Sequence, residues 1–218
     1  MKQHKRLPLA LLLVFALCIQ ILSFTSAAAA LADPEPVFSA SDMTFSSGTD
    51  AVALPQSAVT QLSGLSSGTI IVDFTPTAMS TANCLFSLSN SSVTDAYFNL
   101  YIDNRGFLGL EVRNHGETRY VNLQGPAEVT RNTRHIMALS ADPQEGYKFY
   151  FDGDMVFQMP VALYELWEYD YRFMSTVNSA DVGYMGATYR NGSFGYPYYG
   201  TAPRIRLSTT SVSAVSEH

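Results

Sequence analysis

Apolar and polar residues alternate with a period of two in a succession of short segments, and the clearest lies at Tyr97 to Ile102 (YFNLYI). There Phe98, Leu100 and Ile102 face one way, and Tyr97, Asn99 and Tyr101 the other, as in a half-buried strand. Asp103-Asn104-Arg105-Gly106 supplies a tight turn. Phe107 to Arg113 (FLGLEVR) then returns antiparallel, with Leu108, Leu110 and Val112 opposed to Gly109, Glu111 and Arg113. Similar runs are predicted at Gly68 to Phe74, Cys84 to Leu88, Arg119 to Leu123 and Arg134 to Ser140. Tyr147 to Phe151 and Met155 to Met159 flank Asp152-Gly153-Asp154, and a D-G pair between two such runs is a strong hairpin signal. Asp181 to Thr188 and Pro203 to Ser208 close the series, while 32–53 reads as a leader or a first edge strand. Val59 to Leu65 is short and ends in turn residues; Val161 to Thr176 is the one plausible helical stretch or irregular crossover. About ten short strands with regularly spaced turns predict an all-β sandwich or barrel.

The first residues follow another pattern. Lys2, His4, Lys5 and Arg6 precede an almost wholly apolar run from Leu7 to Phe24, and small residues follow at Ala27 to Ala30. Basic flank, apolar run and small-residue exit predict a secretory signal peptide over residues 1–32, hence a secreted module over 33–218 with no membrane span once the signal is gone. An uncleaved anchor is the competing reading, because the run approaches the ~18 residues that span a bilayer.

Cleavage changes the charge. The full chain has 218 residues, 13 basic and 19 acidic, for a net charge of −6. Loss of Lys2, Lys5 and Arg6 leaves a net charge near −9, and no basic run that would bind nucleic acid. Cys84 becomes the sole cysteine and reads as a small buried apolar residue. Tyr and Phe number 13 each, which fits β-structure and leaves rings for other work.

The chemistry of an enzyme is sparse. His115, His135 and His218 stand apart, no Cys/His group has metal-ligand spacing, and no nucleophile elbow or phosphate loop is present, so no metal or cofactor is implied. Glu165, Glu168 and Asp170 form the best acid cluster, which would suit a jelly-roll glycoside hydrolase or a solvated face of the crossover. Recognition fits better. The polar face of the 97–113 hairpin presents Tyr101, Glu111 and Arg113 together, and is read as exposed. Arginine offers a rigid fork to a carboxylate, glutamate accepts from hydroxyl or amide groups, and tyrosine adds a flat apolar ring. An ordinary cross-strand ion pair explains the same residues, and contributes little. Tyr189 to Tyr199 (YRNGSFGYPYY) is a second candidate: an aromatic, glycine-punctuated loop carrying Arg190.

GTIIVDF, LFSLSNSS, YFNLYIDNRGFLGLEVR, YKFYFDGDMVF and the C-terminal VGYMGATYRNGSFGYPYYGTAPRIRLSTTSVS resemble the sialic-acid-binding modules at the N-termini of many bacterial sialidases. These are carbohydrate-binding modules of family 40, with a concanavalin A-like β-sandwich (jelly roll). The resemblance spans about Ser41 to Glu217, and its most specific pieces are Glu-x-Arg and GATYRNG. It implies that Arg113 and Arg190 hold the sugar carboxylate, that Glu111 contacts the amino-sugar side, and that Tyr101 and Tyr196 complete the site. Met79 matches an apolar contact only loosely. The partners implied are sialylated glycans or glycoproteins, and a sialidase catalytic domain in a longer parent chain. The arginine triad, nucleophilic tyrosine and complete Asp-boxes of that catalytic domain are not in this sequence, so no hydrolysis is expected of it. A laminin-G-like adhesion domain that binds protein is the remaining alternative.

Overall fold

The structure, a computed structural model, describes residues 36, 38–80, 82–164 and 170–209. The expected signal peptide, Glu165 and Glu168 lie outside them. Two six-stranded antiparallel sheets form the body. The first has the order β1 (Phe38–Phe45), β14 (Tyr199–Ser208), β3 (Gly68–Ala78), β8 (His135–Asp142), β9 (Gly146–Phe151) and β10 (Asp154–Met159). The second has the order β2 (Val52–Ala53), β11 (Val182–Met185), β4 (Ala82–Ser89), β5 (Tyr97–Asp103), β6 (Leu108–Arg113) and β7 (Val121–Gly125). A separate two-stranded ribbon pairs β12 (Thr188–Arg190) with β13 (Ser193–Gly195).

The period-two pattern becomes a shared core. Ile70, Val72, Phe74 and Leu139 from the first sheet join Phe86, Phe98, Leu100 and Leu110 from the second, all fully buried. Phe98 meets Phe173 edge-on at 5.4 Å, which ties the segment after residue 170 to this core. The interdigitation of two apolar inner faces is what makes a sandwich of two sheets, each of which would otherwise leave an apolar face in water. His135 is buried at the end of β8; its Nε2 accepts from the Thr130 N–H at 3.1 Å, so Nδ1 donates to Asp152 at 2.8 Å. That clasp pins the D-G hairpin turn and the 126–130 segment.

Three local expectations change. The segment read as Val59 to Leu65 forms helix α1 (Gln56–Leu62), which starts after Pro55 and buries Ala58, Val59 and Leu62. Spacing of three and four residues, from Ala58 and Val59 to Leu62, is the helical signal there. Val161 to Thr176 contains two short 3-10 turns, Val161–Leu163 and Met174–Thr176, within its described part. The run Asp181 to Thr188 breaks at Gly186, whose positive φ of 81° turns the chain away from the sheet and into β12. Among the described residues, no helix is long and apolar enough to cross a membrane.

Candidate functional site

The outer face of β5 and β6 is arranged in rows. Tyr97 lies opposite Arg113, Asn99 opposite Glu111, and Tyr101 opposite Gly109. This face is not open as expected: Tyr97, Asn99 and Tyr101 are all buried. The β12–β13 ribbon and the residues after it lie over the sheet and cover them.

The covering is held by hydrogen bonds from the sheet to the ribbon. Ser87 Oγ donates to the Ala187 carbonyl at 2.8 Å, and Ser89 Oγ to that of Tyr189 at 2.7 Å. Thr188 Oγ1 donates to Asn99 Oδ1 at 2.8 Å, and the Cys84 N–H donates to the Tyr196 carbonyl at 2.9 Å. Buried serine, threonine and asparagine on a strand face have a reason here: each satisfies a polar group of the ribbon. The ribbon turns at Asn191-Gly192, with φ of 45° and 78°, the pair of left-handed residues that a tight two-residue hairpin needs. Tyr189 and Phe194 are cross-strand partners and pack with Tyr184 as a cluster of rings 4.9–5.7 Å apart.

This scaffold brings Arg190 back to the sheet. Its guanidinium lies 4.5 Å from the Tyr97 ring centre and 4.9 Å from that of Tyr196, and Nη1 donates to the Thr94 carbonyl at 3.2 Å. Tyr196 itself has a φ of 55°. That conformation costs a residue other than glycine roughly 1–2 kcal/mol, and its persistence marks a place where geometry matters. On the other side of Tyr97, Arg113 Nε donates to Glu111 Oε1 at 2.5 Å, and its guanidinium stacks 3.8 Å from the Tyr120 ring centre. Desolvation opposes the charge on Arg113, but the Glu111 bond and its negative charge prevail and raise the pKa. Burial, and then the charge of Glu111, push the Tyr97 hydroxyl far above its ordinary value, so it stays a neutral donor to Glu111.

Beside these residues is a cleft of about 350 Å³, lined by Asn99, Tyr101, Glu111, Arg105, Gln124 and Tyr196 among others. The structure therefore brings Tyr101, Glu111 and Tyr196 to one cleft, and sets Arg113 and Arg190 on either side of Tyr97 at its edge. The ring of Tyr101 lies across Gly109, and a Cβ there would stand 2.2 Å from Cζ. Tyr97 and Tyr120 are the candidate-site residues that sequence reasoning missed. Strand alternation already put Tyr97 on the correct face; the stacking of both rings on guanidinium groups depends on side-chain reach across strands.

Of the acid cluster, only Asp170 is among the described residues. Asp170 lies 3.8 Å from Arg119 and 3.7 Å from Arg172, an exposed ion-pair position. Met79 packs against the hydrophobic core rather than lining the cleft. Cys84 is fully buried, and its thiol is pushed up to about 12 by desolvation. Among the described residues, no group of three His, Cys, Asp or Glu side chains is placed to hold a metal.

An all-antiparallel sandwich with a ribbon folded over one sheet, and arginines at the edge of a shallow cleft, defines a lectin-like class of binding module. Within that class the chain belongs to the family described as Sialidase, N-terminal domain, whose model matches residues 44–213. An anhydrosialidase from Macrobdella decora is 27% identical over 157 residues, 68% of this chain and 20% of that protein, so this chain spans about a fifth of its length. The CBM40 domain of the Ruminococcus gnavus IT-sialidase, solved bound to α2,3 sialyllactose, superimposes with a TM-score of 0.73 at 26% identity, covering 82% of this chain and 94% of that one. The leech intramolecular trans-sialidase matches with a TM-score of 0.72 at 24% identity, over 82% of this chain and 26% of its own, which supports the fold alone.

Proposed function

We propose that this chain is a secreted, non-catalytic module that binds terminal sialic acid on glycans. The observation that carries the reading is the bracketing of Tyr97 by Arg190 and Arg113, with Glu111 bonded to Arg113 at the mouth of the cleft. In a secreted chain whose net charge, once Lys2, Lys5 and Arg6 are lost, is near −9, an anionic sugar needs a local cationic seat. Two planar guanidinium groups, each held against aromatic rings, supply one with little ordering left to do on binding. Glu111, already one bond into Arg113, accepts from the sugar amide, and Tyr101 and Tyr196 offer ring faces. The CBM40 domain of the Ruminococcus gnavus enzyme, solved with α2,3 and with α2,6 sialyllactose, supports the ligand class.

A seat for one sugar implies weak affinity, about 0.1–1 mM or roughly −5 kcal/mol, and avidity arises from repeated modules or clustered glycans. Calorimetric titration of 3′- and 6′-sialyllactose, with lactose as control, tests the reading. Binding of sialyllactose but not lactose, weakened at least tenfold by Arg113→Ala and by Arg190→Ala, is expected. Equal binding of lactose, or variants indistinguishable from wild type, would refute it. Residues 1–32 are assigned as the secretory signal, and the mass of the exported protein checks that assignment. Service to a catalytic domain in a longer parent chain accords with the relatives, of whose length the module is about a fifth to a quarter.

A further inference from the structure

The rows on β5 and β6 follow one another about 7 Å apart along the strands. Arg113 stands in the first, the acceptor Glu111 in the second, and the Tyr101 ring over bare Gly109 in the third. The cleft begins at the second row: Glu111, Asn99 and Tyr101 line it, and Arg113 and Arg190 do not. A ligand whose carboxylate sits at the arginines and whose amide N–H is donated to Glu111 thus directs its acyl chain into the third row. Acetyl ends there in a methyl group, which fills little of about 350 Å³ when one water's share of the liquid is about 30 Å³.

The far end of that space is polar. Gln124 Nε2 donates to Tyr101 Oη at 3.3 Å, and Tyr101 Oη donates to Asn122 Oδ1 at 3.4 Å. Both bonds are long, and a hydroxyl placed among these groups would shorten the network. Arg105 donates to Gln124 Oε1 at 2.6 Å and is paired with Asp103 through Nε at 2.7 Å. Its Nε and Nη2 donors are thus both committed to protein acceptors. Ala82 supplies an apolar side to the same space. A neutral, hydroxyl-bearing acyl group matches this combination.

Resting on the sialic-acid reading above, we infer that the cleft is a pocket for the C5 acyl group that favours N-glycolylneuraminic over N-acetylneuraminic acid. The glycolyl hydroxyl reaches Tyr101 Oη and Gln124, while its methylene lies on the Tyr101 ring. One added hydrogen bond between neutral groups amounts to about a three- to tenfold tighter dissociation constant.

Titration of the α-methyl glycosides of the two acids, with saturation-transfer NMR on the same samples, tests the assignment. The N-glycolyl form is expected to bind about three- to tenfold tighter, with its acyl methylene among the most strongly saturated protons. Gln124→Leu, at an exposed strand position where folding is insensitive, is expected to bring the ratio of the two constants to about one. Measurable binding of both forms without an N-glycolyl preference, a preference untouched by Gln124→Leu, or acyl protons left unsaturated would each overturn the pocket while leaving sialic-acid binding intact. Failure of both glycosides to bind would instead overturn the parent reading, and this inference with it.

Discussion

Gly109→Ala perturbs the cleft floor without touching a charged group. A Cβ at this position would stand 2.2 Å from Tyr101 Cζ and 2.4 and 2.5 Å from its two Cε atoms. Such distances do not occur, so the ring has to move. The sheet backbone lies beneath it, and the open side is the cleft. Moving the ring gives up two long hydroxyl bonds, about 0.5 kcal/mol each at that length, and adds about 1 kcal/mol of rotamer strain. Alanine recovers about 0.5–1 kcal/mol over glycine in a strand. The net loss is about 1 kcal/mol, or about 2–4 °C in Tm for a domain of this size. Affinity suffers more, because the displaced ring occupies the space the sugar needs: at least a tenfold loss, about 1.4 kcal/mol, is expected. Calorimetry on the free protein and with sialyllactose reads both quantities. In a Tyr101→Ala background the same alanine should cost no stability, since no ring remains to be displaced. A Gly109→Ala protein with wild-type melting temperature and wild-type affinity would refute the reasoning.

Arg113→Lys keeps the charge but loses the Nε bond to Glu111 and the planar stack on Tyr120; titration should show about tenfold weaker sialyllactose binding with a Tm shift under about 2 °C, because the pair is only partly buried and lysine retains the charge opposite Glu111. His135→Phe retains ring packing against Phe151, 4.8 Å away, but strands the Thr130 N–H and Asp152; urea unfolding should register a loss of about 1–2 kcal/mol. Cys84 should resist iodoacetamide at pH 8 until the protein unfolds. Its thiol titrates near 9.0 when unfolded and at about 12 when folded, so over that interval the folded state binds the extra proton and stability falls as pH rises. Urea unfolding between pH 9 and 10.5 should show a shallower decline in Cys84→Ala.

The β5–β6 hairpin was legible because it carries its inner face as a strict alternation, from Phe98, Leu100 and Ile102 to Leu108, Leu110 and Val112, whereas the Thr188–Gly195 ribbon reads as a loop in sequence. The same alternation set Glu111 and Arg113 on the outer face. It could not say that this face is roofed, because the roof is a tertiary event. Ser87, Ser89, Asn99 and Thr188 are ordinary polar residues in sequence, and only their bonds to the ribbon give them meaning. Asn191-Gly192 was the local clue to that ribbon, as a turn pair of the kind that closes tight hairpins. Helix α1 was missed because its apolar face consists of only three buried residues, too few for a period to stand out. The roles of Arg113 and Arg190 rested on the resemblance, and Tyr97 and Tyr120 entered only when distances between rings and guanidinium groups were available.

β14 runs between β1 and β3 in the first sheet, although it is last in chain order, and the ribbon that carries Arg190 ends a few residues before it. The ribbon is anchored on one side by side chains of β4 and β5 and on the other by a strand that completes the opposite sheet. During synthesis, β5 and β6 emerge long before the ribbon and β14 exist, so the proposed seat for the anion cannot assemble early. Contacts between segments this distant in the chain are slow to form. Assembly of the site therefore reports completion of the whole sandwich: any misfolded species that leaves β14 unpaired will also lack its arginine clamp. Retention on an immobilised sialoglycan would then separate finished molecules from unfinished ones.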